Sequence, residues 1–152
     1  MRGGAEVRLA SIPMRPVRFA LAAGLLFLLA IVWNGVLHLV ILRQANEVIR
    51  HLRRTDLPGS LGLSLLLTAA ISVLFVWGYA HTARTGTLRE GAGYGLFIGI
   101  FAALLVDVNQ YLLYPIPLSL AVKWFLGGVL EFTAYGAVVS RAYPVNRAHP
   151  GA

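Results

Sequence analysis

Apolar residues fall into four long runs, covering about residues 17–42, 57–80, 89–114 and 118–140. The stretches between them are short and rich in arginine, glycine or proline. About 20 consecutive apolar residues suffice for a helix to cross the hydrocarbon core, so each run predicts a transmembrane helix. Short connections between long helices favour antiparallel neighbours. The expected fold is therefore all-α, a four-transmembrane-helix up-down bundle, with residues 1–152 as a single integral membrane domain.

The breaks between runs carry their own signals. Residues 1–16 form a basic tail, and Val17–Leu42 is far longer than the roughly 7–15 residue apolar core of a signal peptide, so it reads as an uncleaved first helix. Arg43–Thr55 is charged on most sides with a narrow stripe of Val48, Ile49 and Leu52. It either prolongs the first helix or lies along the interface. Asp56 and Pro58 suit a helix start. Gly86 can stop the second helix, and Thr87 with Glu90 has the spacing of a capping box for the third. Tyr114-Pro115-Ile116-Pro117 closes that helix in a tight hairpin. Ala142–Ala152 is a short tail with two prolines.

Composition strengthens the membrane reading. Hydrophobic residues make up 58% of the chain and charged residues 12%, against roughly 45–50% and about 25% in soluble proteins. The net charge of +7 comes mostly from arginines flanking the apolar runs, not from a compact basic face, so nucleic acid is not an expected partner. Eight basic residues (Arg2, Arg8, Arg15, Arg18, Arg84, Arg89, Arg141 and Arg147) lie on the side of the termini. Five (Arg43, Arg50, Arg53, Arg54 and Lys123) lie on the other. That bias favours both termini in the cytoplasm, although the basic first loop opposes it. With no cysteine in the chain, disulfide, thiolate-metal and thiol-redox chemistry are excluded.

Within the runs, polar residues define what needs explaining. Asn34 and His38 are one helical turn apart, beside Gly35. His38 reads either as a hydrogen-bonded or headgroup-level histidine or as a proton carrier. Trp33 reads as a packing residue. Ser60, Ser64, Thr68 and Ser72 form a four-residue row, either bonded back to their own helix and across to a neighbour or lining a polar path. Trp77 and Tyr79 resemble an interfacial aromatic belt.

Gly91, Gly95 and Gly99, continued by Ala103 and Asp107, form a small-residue row suited to close helix approach, within one chain or between copies. Lys123, Gly127, Glu131 and Tyr135 make a comparable row on the fourth run.

An ionisable group at the centre of a membrane helix costs on the order of 2.5–3.5 kcal/mol, so each such group needs a partner or a purpose. Counting outward from Ile116 puts Asp107 and Lys123 at nearly the same depth, which predicts an ion pair between the third and fourth helices, unless Lys123 snorkels to the headgroups. Gln110, Tyr111 and Tyr114 share the Asp107 face. Asn34, His38, Asp107, Gln110, Lys123 and Glu131 are thus the candidate intramembrane polar cluster. Glu131 lies deepest and has no cation at its level, so it is expected to be neutral and bonded to another helix. A proton-coupled role is the alternative.

No Walker loop, His-x-x-x-His pair, nucleophile elbow or dinucleotide-binding glycine spacing is present. Neither a cofactor nor a catalytic residue set is expected, and the chain does not read as an enzyme.

The segments GAGYGLFIGIF and PIPLSLAVKWFLGGVLEFTAYGAVVSRAYP resemble small, uncharacterised four-helix integral membrane proteins of bacteria. The resemblance covers roughly the second half of the chain and implies the fold and a bacterial plasma-membrane location, but no activity. Small multidrug exporters also have four short spans but keep their essential carboxylate in the first, where this chain has none. Two functional readings follow. The first is a structural or accessory bundle, as a homo-oligomer or beside a partner membrane subunit. The second is a small proton- or cation-coupled transporter or channel subunit using Asp107 and Glu131. Glu131→Gln and Asp107→Asn separate them, and the most informative single observation is whether, in lipid, a water-filled cavity reaches Glu131.

Overall fold

The computed structural model describes residues 15–52, 57 and 59–145. It contains four long apolar helices: α1 (Pro16–Ile41), α2 (Ser60–Thr82), α3 (Leu88–Leu113) and α4 (Leu118–Ala142). Each is long and apolar enough to cross a membrane. They pack against one another with no strand among the described residues. Asp56 and Pro58, the expected start of the second helix, lie outside the described residues, as do Arg2, Arg8, Arg53, Arg54 and Arg147.

Helices α3 and α4 form the closest pair, through the glycine row. Gly91, Gly95, Gly99 and Ala103 are all buried. A Cβ on Gly91 would overlap the Gly136 carbonyl oxygen, and one on Gly95 would overlap that of Phe132. At Gly99 it would come within 3.1 Å of the Val129 Cα. Lipid tails are as apolar as leucine, so close backbone contact supplies the attraction that water would otherwise drive. The row therefore serves packing within one chain.

The main core lies at the end of the bundle nearest the α2–α3 loop. Ala22, Leu26 and Ala30 of α1 meet Phe75, Val76, Tyr79 and Ala80 of α2, with Tyr135 and Val139 of α4 and then Tyr143 and Val145. The Phe75 ring centroid lies 4.9 Å from that of Tyr94 and 5.9 Å from those of Phe132 and Tyr135. Tyr94 donates its hydroxyl proton to the Phe75 carbonyl at 3.2 Å, tying α3 to α2. Tyr79 is 0% exposed, so it belongs to this core and not to an aromatic belt. Trp77 faces outward and stacks on His81 at 4.4 Å.

Away from this end the bundle loosens. No residue from Ser60 to Ile71 is buried. A second, smaller buried set lies at the opposite end: Leu42, Asn46, Ile116, Leu120 and Ala121. Between the two, Gly99, Ala103, Gly127 and Glu131 stay buried along α3 and α4, beside a hollow.

Local signals act largely as the sequence implies. Ser64, Thr68 and Ser72 each donate to the carbonyl four residues back, at 2.8–2.9 Å. Thr87 caps α3 by accepting from the Glu90 amide at 3.3 Å. The Glu90 carboxylate reaches further back than a capping box does, accepting from the amides of Arg84, Thr85 and Gly86 at 2.6–2.8 Å. Gly86 adopts φ +65° in that turn, but α2 already ends at Thr82. Gly35 has open space where a Cβ would be, so no helix approaches closely there.

Candidate functional site

Two helices change their winding where the bundle is hollow. Gly35–Ile41 of α1 and Leu104–Val108 of α3 are π-helical, and the Leu42 amide donates to the Leu37 carbonyl, five residues back, at 2.7 Å. Runs of π-helix inside α-helices are uncommon and concentrate at functional sites. One carries His38 and the other Asp107.

Both border the same cavity of about 430 Å³. Its polar lining is Asn34 and His38 from α1, Asp107 and Gln110 from α3, and Glu131 from α4. Leu37, Ile71, Val106, Trp124 and Phe132 supply apolar wall. Five of the six residues in the expected cluster are thus brought to one space. Lys123 is not among them.

Glu131 is 8% exposed and joins two helices. Its Oε1 accepts from Asn34 Nδ2 at 2.6 Å and from the hydroxyl of Tyr135, one turn along its own helix. The Asn34 amide also donates to the Ala30 carbonyl at 3.0 Å, which holds its orientation. Behind this pair is a second cavity of about 250 Å³, lined by Thr68, Ser72 and Tyr135 and sharing Asn34 and Glu131 with the first. Asn34 and Glu131, with Ile71 and Phe132, therefore form the wall that the two spaces share.

Asp107 lacks such partners. It makes no hydrogen bond or ion pair among the described residues, where the one ion pair present joins Glu47 and Arg50 at 3.5 Å. The expected Asp107–Lys123 ion pair is not formed. Asp107 Oδ2 instead lies 3.8 Å from the position of a Cβ on Gly128, and Lys123 is exposed. Five residues along a helix turn the direction of projection by about 140°. Lys123 therefore points well away from the side that Gly128 presents to Asp107. The level of α4 beside Asp107 is that of Gly128, about 7.5 Å of helix rise beyond Lys123, so both depth and facing depart from the expected pairing.

A third cavity, of about 150 Å³, extends the space toward the end of the bundle. Ile49, Leu52, Tyr114 and Ile116 line it, and it shares Gln110 and Trp124 with the first. The segment after α1 thus folds over the hairpin with Ile49 and Leu52, two members of its narrow apolar stripe. Asn46 fixes that segment: it is buried, donates to the His38 carbonyl at 3.1 Å, and lies 3.4 Å from His38 Nδ1. The His38 and Trp124 ring centroids are 6.5 Å apart. The Trp124 indole N–H is buried with no protein partner.

Trp124, Tyr135 and Asn46 were not identified as site residues from sequence. Tyr135 carried a readable signal, since it stands four residues after Glu131 and so on the same face. Trp124 and Asn46 carried none. No group of three His, Cys, Asp or Glu side chains arranged to hold a metal ion exists among the described residues. No family model, curated protein or solved structure matches this chain.

Proposed function

We propose that this integral membrane protein is a small proton- or cation-coupled transporter, or a subunit of one, with Asp107 and Glu131 at its binding site. The observation that carries this reading is the cavity reaching Glu131 between all four helices, with a second carboxylate in its wall that has no partner among the described residues. If packing were the sole role, leucine would fill these positions without the cost, on the order of 2.5–3.5 kcal/mol, of each carboxylate in a membrane helix. The volume of about 430 Å³ falls within the ~300–1,000 Å³ of small-molecule sites.

The Asn34–Glu131–Tyr135 hydrogen bonds also favour a structural contribution from the same residues, because they join α1 to α4. Isosteric variants separate the two roles. In reconstituted vesicles, Glu131→Gln and Asp107→Asn lower proton-coupled or cation flux by about tenfold or more, equivalent to ~1.4 kcal/mol in the affected step, with circular dichroism and thermal melting close to those of the parent. Unchanged flux with a lowered melting temperature would instead leave an accessory bundle as the function.

The arginine distribution supports cytoplasmic termini, which makes the Asp107 end of the bundle the outer one. Under this orientation a periplasmic reporter is active when fused after Arg54 and silent after Arg89. The reverse pattern inverts the direction of access.

A further inference from the structure

We infer that the occupant of the Asp107 cavity is a small organic cation: a protonated amine with an apolar or aromatic body. The inference rests on the transporter reading above and specifies its substrate class. Among the described residues the lining carries two carboxylates, Asp107 and Glu131, and no lysine or arginine, which selects against anions. Glu131 already accepts two hydrogen bonds from Asn34 and Tyr135. Both fall on Oε1, whereas Asp107 accepts none among the described residues, so it is the carboxylate with both oxygens open to an incoming donor.

The rest of the lining decides between kinds of cation. A hard inorganic ion exchanges its water shell for about six to eight oxygen ligands converging on one point. Here Glu131 Oε1 is taken by Asn34 and Tyr135, and no group of three His, Cys, Asp or Glu is arranged to hold a metal ion among the described residues. Its remaining walls include Leu37, Ile71, Val106 and Phe132, with the Trp124 indole close by. Such walls accept an apolar body, and an aromatic face beside a carboxylate attracts a charged nitrogen directly. An ammonium on a hydrocarbon or aryl frame satisfies both halves of the site. Its N–H groups meet Asp107, while its body replaces lipid or water against the aromatic wall. The π-helical turn at Leu104–Val108 lies where Asp107 needs to be presented to the cavity.

The test is binding to the detergent-solubilised full chain, followed by tryptophan fluorescence and calorimetry. Phenethylamine is the probe, and 2-phenylethanol is its neutral counterpart of nearly equal shape. The amine is expected to bind at least tenfold more tightly than the alcohol. Asp107→Asn weakens amine binding by about 10- to 100-fold, the effect of losing one charge-assisted hydrogen bond, and leaves alcohol binding unchanged. Lys123→Gln, on the exposed side of α4, leaves both unchanged, and Trp124→Phe removes the fluorescence response.

Equal binding of amine and alcohol by the parent protein overturns the inference without requiring any variant to fold. Glu131-dependent proton flux without amine binding also overturns it, while sparing the transporter reading. Asp107-dependent amine binding without flux of any kind supports the cation site and rejects transport.

Discussion

Alanine in place of Gly95 or Gly136 destabilises the bundle by roughly 1–3 kcal/mol, the usual cost of forcing a side chain into a filled site, and leucine at either position prevents α3 and α4 from pairing. Each added Cβ meets backbone, not a side chain that can rotate away: the Phe132 carbonyl at Gly95, and the Gly91 carbonyl at Gly136. Relief requires separating two helices that hold each other along the entire glycine row. Gly24, Gly62 and Gly93 are the controls, since a Cβ at each has no neighbour within 4 Å. Their alanine variants remain neutral or gain slightly, because alanine is the better helix former by roughly 1 kcal/mol. Thermal unfolding in a fixed detergent ranks all five. Equal losses at Gly93 and Gly95 would refute the seam.

The second large effect is expected at Phe75. Phe75→Ala costs about 3–5 kcal/mol, the range for removing a buried ring whose site cannot collapse. The ring contacts three others, from Tyr94, Phe132 and Tyr135, and so joins α2 to both α3 and α4. In lipid the loss is mainly of dispersion contacts, which a void cannot replace. Leu66→Ala and Leu112→Ala, at 67% and 74% exposed, change stability by no more than ~0.5 kcal/mol. Steric-trap or denaturant unfolding provides the comparison. Similar losses at Phe75 and Leu66 would show that stability is not concentrated at the loop end.

The helices were legible because the bilayer imposes a length on them: the expected 17–42 and 118–140 became Pro16–Ile41 and Leu118–Ala142. Depth is legible only approximately, since each residue advances the chain by a fixed rise but the count depends on where the hairpin turns. Asn34, His38, Asp107, Gln110 and Glu131 line one cavity. Facing was much harder to read. In water, the apolar stripe of a helix marks its inner side. Here leucine and valine suit both lipid and core, and the stripe carries little information. The expected Lys123–Asp107 pair and the expected interfacial place of Tyr79 both depend on facing, and the structure has neither. The π-helical turns were equally hidden, because GVLHLVI and LLVDV contain no residue that requires them. Glycines and carboxylates were the exceptions: each is costly enough in lipid to declare a contact or a cavity.

The loosening of α2 has a consequence for how concentration acts on this protein. Among the described residues, the 430 Å³ cavity takes only Ile71 from α2, and Ser60–Ile71 is nowhere buried. In a bilayer, that flank would face acyl chains more than water. A solute dissolved in the bilayer can then arrive sideways, by two-dimensional diffusion. Saturation would follow the mole fraction of solute in the lipid, so apparent affinity would scale with the partition coefficient and with the lipid-to-protein ratio of the preparation.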